Sequence, residues 1–105
     1  MTEAMHLVLI VEDDAAIQNI LRMLFEANGF RVVVADTAAR GEQDARLHRP
    51  DILVVDLGLP DRDGLNVITS VRLWSPVPII VPVSYTHLDV YKRQASKMPS
   101  RIVKS

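Results

Sequence analysis

The sequence has no cysteine, so disulfides and thiolate metal sites are excluded. It has no apolar run of membrane-spanning length. Met1 to His6 lacks a basic stretch followed by an apolar core, which argues against a signal peptide. There is no internal repeat and no low-complexity tract. Lysine and tyrosine are missing from residues 1–83, where all seven basic residues are arginine. These absences leave a cytoplasmic chain as the expectation. At 105 residues it has room for one domain.

What is present is apolar and clustered, with 49% hydrophobic residues in short groups, as suits a packed core rather than disorder. The net charge of −1 conceals an asymmetry. Residues 1–83 carry seven basic and twelve acidic side chains, a net of −5, while residues 84–105 carry five and one, a net of +4. All three lysines (Lys92, Lys97, Lys104) and both tyrosines (Tyr85, Tyr91) fall in that second part.

The apolar pattern alternates between two kinds of element. His6–Val11 is a continuous apolar run ending in Glu12-Asp13-Asp14, the signature of a strand buried on both faces. Ile17, Ile20, Leu21, Leu24 and Phe25 form one helical stripe, with Asp13 or Asp14 placed to cap its start and Asn28-Gly29 its end. Arg31–Ala35 predicts a second strand. A weaker helix opens at Asp36-Thr37 and ends near Leu47, before Pro50. Ile52–Val55 predicts a third strand, ending on Asp56. A loop from Leu57 to Asp63 is closed by Gly64, and Leu65, Ile68 and Val71 mark a third helix. Val77–Val81 predicts a fourth strand.

The order β-α-β-α-β-α-β predicts an α/β fold: an open parallel sheet with right-handed crossovers and helices on both faces. After Val81 the pattern degrades. Pro82 removes a ladder donor, and no clear strand or helix is expected from Ser84 onward. The fold is expected to be incomplete after the fourth strand.

In open α/β sheets, ligands bind beyond the carboxyl ends of the strands. Glu12, Asp13 and Asp14 follow the first strand, and Asp56 follows the third. If those strands are neighbours, four carboxylates converge. Like charges at ~4 Å repel by about 4 kcal/mol at an effective dielectric of 20, so a counter-charge is needed. Hard carboxylate oxygens in a partly open pocket suit Mg²⁺. A carboxylate at a strand end can also attack phosphorus and form an acyl phosphate, which makes Asp56 the candidate nucleophile. Gly58 can offer a backbone carbonyl to the metal, and Pro60 and Gly64 shape the exit from the loop.

Plainer roles are assigned elsewhere. Asp14 reads as a helix cap. Asp61 and Asp63 read as solvated loop residues. His6, His48 and His87 lack metal-ligand spacing, and Trp74 reads as a packing anchor.

Three motifs together resemble the receiver domain of bacterial two-component response regulators: Val8-Leu-Ile-Val-Glu-Asp-Asp14, Pro50-Asp-Ile-Leu-Val-Val-Asp-Leu-Gly-Leu-Pro-Asp-Arg-Asp-Gly64 and Pro76-Val-Pro-Ile-Ile-Val81. The resemblance is to receivers of the winged-helix transcription-factor class, of the potassium-transport regulator type. It implies a flavodoxin/receiver-like fold over residues 5–83. It implies Mg²⁺ at Glu12 and Asp13, with Asp13 a direct ligand, together with Asp56 and the Gly58 carbonyl. Asp56 would be the phosphoacceptor and a sensor histidine kinase the donor. The module would not be an enzyme, and a DNA-binding domain would follow in the parent protein, so this chain itself would contact neither nucleic acid nor membrane.

Two positions depart from that family. Its switch hydroxyl at the end of strand four falls on Val83, with Ser84 one residue late. Its strand-five lysine has only Lys104 as a counterpart, without the following proline. The segment Ser84–Gln94 resembles a tail found on unrelated metagenome-derived reading frames. Residues 84–105 are therefore expected to be a non-native basic tail, with the output face missing. Two other readings stay open: a Mg²⁺-dependent phosphohydrolase, and a pseudo-receiver that binds partners without phosphorylation. The first typically needs an acid two residues past the nucleophile, where this chain has Gly58.

Overall fold

Strand β1 (Leu7–Val11) lies at the centre of the architecture, with β2 (Arg31–Ala35) on one side and β3 (Ile52–Val55) on the other, both parallel to it. The computed structural model describes residues 6–82 and the backbone of residues 102–103. Beyond β3 lies β4 (Ile79–Ile80), also parallel. The strand order is β2-β1-β3-β4, the open parallel sheet expected, and the parallel part ends at the fourth strand.

Two expectations need correction. The fourth strand was predicted over Val77–Val81 but pairs in ladder geometry only at Ile79 and Ile80. Pro76, Pro78 and Pro82 lack the N–H that would extend it. The Pro78 carbonyl still accepts from Leu53 N at 3.0 Å. No strand was expected past Ser84, yet Ile102–Val103 forms β5, a two-residue strand antiparallel to β4. Val83, Ser84, His87, Lys104 and the rest of the 84–105 tail other than Ile102–Val103 lie outside the described residues.

The helices follow the sequence pattern closely. Helix α1 spans Ala15–Ala27, α2 Ala38–His48 and α3 Gly64–Arg72. Asp14 caps α1 by accepting from Ala16 N and Ile17 N at 2.9 and 3.2 Å. At the other end Gly29 takes φ +88°, a backbone region open to glycine. None of the described helices is long and apolar enough to cross a membrane.

Strand alternation sends side chains to two cores. Leu9, Val11, Leu53, Val55 and Ile79 pack under α2 and α3. Val8, Ile10 and Val54 pack on the other face, with Leu21, Phe25 and Phe30 half-buried against them. The two faces are covered unequally. α2 and α3 each bury several residues, whereas α1 buries none, and Ile20 and Leu24 of its apolar stripe remain 57% exposed. Beside α1 runs an apolar cleft of about 490 Å³ over Phe30, Val54 and Ile80.

Candidate functional site: a carboxylate cluster at the strand ends

Main-chain bonds set the positions of the acids. Glu12 continues β1 and donates its N–H to Ala35 O at 2.9 Å, while Asp56 continues β3 and donates to Val11 O at 2.9 Å. The two residues therefore leave adjacent strands at the same edge of the sheet. Glu12 is 3% exposed and Asp56 5%; Asp13, between Glu12 and the α1 cap, is exposed to solvent. Carboxylate oxygens of Glu12, Asp13 and Asp56 lie within 4.8 Å of one another.

Three of the four acids expected to converge do so. Asp14 does not join the cluster, because its carboxylate is engaged in capping α1. Its N–H instead donates to Glu12 Oε2 at 3.0 Å, and Gln18 Nε2 donates to the Glu12 carbonyl at 2.6 Å. Glu12 is thus held by the first turn of the helix beside it. Burial pushes its carboxyl up to about 7 from 4.5; the charges of Asp56, Asp13 and Asp14 add to the rise, and the Asp14 amide opposes it.

The loop after β3 fixes the backbone beside Asp56. Gly64 N donates to Leu57 O at 3.0 Å, closing the loop. A Cβ at Gly64 would overlap the Asp56 carbonyl oxygen and approach Leu57 Cα to 2.8 Å. Gly58 lies two residues past Asp56 on the exposed part of this loop.

Two loop acids read as solvated prove structural. Asp61 reaches across to α2, accepting from Ala38 N at 2.7 Å and Ala39 N at 3.0 Å, which holds its carboxyl below the usual range. Thr37 Oγ1 accepts from Arg40 N, so between them the two side chains satisfy the first turn of α2. Asp63 caps α3 through Leu65 N at 3.0 Å. The residue preceding a helical pattern could have signalled the Asp63 cap. No local signal marks Asp61, whose partners lie 22 and 23 residues away. An ion pair between Arg62 and Glu42, 3.3 Å apart, ties the same loop to α2.

The remaining assignments are quickly placed. His6 lies 3.7 Å from Asp51 and packs at a tilt on Phe30, and His48 is exposed at the end of α2. Trp74 is not a buried anchor. It lies at the surface, with the Arg46 guanidinium carbon 5.2 Å from its ring centre.

The motif set and the fold agree with comparisons to known proteins. Residues 8–99 match the family described as the response regulator receiver domain. The chain belongs to the response regulator receiver domain family. Among curated relatives, the KDP operon transcriptional regulatory protein KdpE of Escherichia coli is 50% identical over 74 residues, 70% of this chain and 33% of that protein. The virulence transcriptional regulatory protein PhoP of Salmonella typhimurium is 40% identical over 76 residues, 72% of this chain and 33% of the relative. The receiver chain thus spans about a third of the length of these regulators. Among solved structures, the signal receiver domain of a modulated diguanylate cyclase from Desulfovibrio desulfuricans superposes with a TM-score of 0.70 at 31% identity, covering 84% of this chain and 72% of that one. The receiver domain of a sensor histidine kinase from Pseudomonas aeruginosa, solved with a magnesium ion coordinated in the active site cleft, gives 0.71 at 22% identity, covering 91% and 88%. That last likeness carries the fold alone.

Proposed function

We propose that this receiver is a phosphoacceptor module of a two-component phosphorelay, with Asp56 as the residue that takes the phosphoryl group. The observation that carries the reading is the convergence of Glu12, Asp13 and Asp56 from two neighbouring strand ends within 4.8 Å. The donor is a phosphohistidine on a sensor histidine kinase. An Asp56 carboxylate oxygen attacks phosphorus; the P–O bond of an acyl phosphate forms as the P–N bond breaks, and the electron pair of that bond goes to the ring nitrogen, so that a phosphohistidine protonated on its other nitrogen leaves as neutral imidazole.

The donor set fits Mg²⁺. It consists of hard carboxylate oxygens in a partly open pocket, converging within 4.8 Å of one another. Glu12, Asp13, Asp56 and the backbone carbonyl of Gly58 would hold the ion, Asp13 directly. Bound there, Mg²⁺ supplies positive charge against the carboxylates and the phosphoryl oxygens. The magnesium-containing receiver of similar fold is in keeping with this assignment.

The wider setting follows from the relatives. They are transcriptional regulators about three times the length of the matched segment; by analogy the parent protein would carry a DNA-binding output domain and work in the cytoplasm. We read residues 5–83 as a partial receiver and residues 84–105 as a non-native basic tail, while the family match itself runs to residue 99. The module is not an enzyme: Gly58 stands where an aspartyl-phosphate phosphatase needs its general acid.

Incubation with Mg²⁺ and acetyl phosphate tests the reading. One phosphoryl group should add to the intact chain by mass spectrometry, and Asp56→Asn should abolish the addition. Equal labelling of Asp56→Asn would refute the assignment. So would the absence of both labelling and Mg²⁺-induced NMR shifts at Asp13 and Asp56.

A further inference from the structure

The first turn of α2 touches both halves of the carboxylate site. Gly41 lies against Val11, the residue before Glu12, so closely that a Cβ there would meet both Val11 methyl carbons at 2.8 Å. Ala38, fully buried in the same turn, donates its N–H to Asp61 Oδ1 at 2.7 Å, and Ala39 N–H donates to Asp61 Oδ2 at 3.0 Å. One end of this turn therefore rests on the strand that carries Glu12. The other grips the loop that follows Asp56.

That loop carries Gly58, which is exposed. With no side chain of its own as an anchor, the direction of its carbonyl depends on how the loop is held on either side. On the inner limb, Leu57 O accepts from Gly64 N at 3.0 Å, and Leu59 is buried in the core. Apolar contact at Leu59 is non-directional and fixes no orientation. The outer limb is held by directional bonds: the two to Asp61, which are charge-assisted and lie at the positive end of the α2 dipole, and the Arg62–Glu42 pair at 3.3 Å.

We propose that Asp61 is a positioning residue for the metal site: it latches the loop to the first turn of α2 and so holds the Gly58 carbonyl where it can join Glu12, Asp13 and Asp56. This role rests on the Mg²⁺ reading above and adds a residue to it. Asp61 acts through the loop and is not itself a ligand, because both its carboxylate oxygens are directed at α2. Any free energy that the latch gives to Mg²⁺ binding must reappear as protection of the latch when the ion is bound.

The full chain is titrated with Mg²⁺ alone and followed by NMR. Asp61→Ala should bind Mg²⁺ about tenfold more weakly, the lower end of effects seen when support for a metal ligand is removed. Asp61→Asn keeps an acceptor for one of the two amides and should lose less. Thr37→Ala is the control. Thr37 Oγ1 accepts from Arg40 N at 3.1 Å, in the same turn but with no link to the loop, so its loss should lower the melting temperature and leave Mg²⁺ affinity as in the parent chain. In the parent chain Mg²⁺ should also slow amide exchange at Ala38 and Ala39, and Asp61→Ala should remove that slowing. Unchanged affinity in both Asp61 variants, an equal loss in Thr37→Ala, or parent exchange at Ala38 and Ala39 that ignores Mg²⁺ would each overturn the role of Asp61 while Mg²⁺ binding stood. A parent chain that does not bind Mg²⁺ would overturn the metal reading and the role of Asp61 with it.

Discussion

Gly64 lies against the backbone of Asp56 so closely that a single methyl group on its α-carbon would overlap the Asp56 carbonyl oxygen. The start of α3 and the end of β3 are thereby brought together in direct contact. Gly64→Ala has no flexible neighbour to push aside, since the obstructing atoms belong to the main chain of Asp56 and Leu57. The expected cost is about 2–3 kcal/mol, at the upper end of overpacking effects. Urea denaturation measures it, and an unchanged midpoint would mean that the loop shifts freely.

Mg²⁺ affinity should depend on Asp13 while stability should not. Asp13 is exposed, and Asp14 rather than Asp13 caps α1. Asp13→Asn is expected to weaken Mg²⁺ at least about tenfold, comparable to the larger effects known for groups supporting a metal site. Calorimetric titration checks the affinity, and thermal melting of the apo protein checks that the fold is intact.

Stability should vary with pH in two separate windows. The Glu12 carboxyl is raised from 4.5 to about 7 in the folded chain, so the folded state binds the proton more tightly than the unfolded one. Its contribution is present below pH 4.5 and lost as pH rises towards about 7. Asp61 is shifted the other way, below 3.8. Its contribution is present above that value and lost as pH falls through the folded value. Denaturation midpoints measured across pH in metal-free buffer should fall from pH 4.5 to 7, and Glu12→Gln should flatten that slope. Adding Mg²⁺ should flatten it too, by favouring the ionised carboxylate. A midpoint that rises over this interval in the parent chain and in Glu12→Gln alike would contradict the assignment.

Asp61→Ala removes the acceptor for two N–H groups in the first turn of α2. The thermal midpoint should drop, and amide exchange at Ala38 and Ala39 should speed up, while Asp61→Asn should show a smaller change. Exchange that is unaffected at those two amides would show that Thr37 suffices as the cap.

Arg49→Gly should stabilise the chain by about 0.5–1 kcal/mol, because the position already has the left-handed backbone that glycine adopts freely. Guanidinium denaturation resolves a shift of that size. A loss of stability would mean that the Arg49 side chain contributes more than its backbone costs.

Several features needed nothing beyond local pattern. Continuous apolar runs at Leu7–Val11 and Ile52–Val55, separated by a stripe at helical spacing, specify buried strands and an amphipathic helix between them. Asp14 and the pair Asn28-Gly29 announce the limits of α1 through backbone chemistry that acts within a few residues. The acids at the strand ends were legible for the same reason: a change from apolar to acidic marks where a buried strand emerges. The fourth strand is shorter than its apolar run because prolines interrupt that run, and hydrogen bonding rather than hydropathy sets its ends.

The sequence by itself therefore determined the elements, their order and the chemistry available at their ends. Only the tertiary structure decided which groups meet. It placed β3 beside β1, bringing Asp56 to Glu12 and Asp13 while Asp14 turned away to cap its helix. It sent Asp61 to a helix that begins 23 residues earlier and set Gly64 against Asp56. The physical reason is range. Propensity, capping and periodicity act along a few residues of chain, whereas convergence depends on how crossovers stack strands that are far apart in sequence.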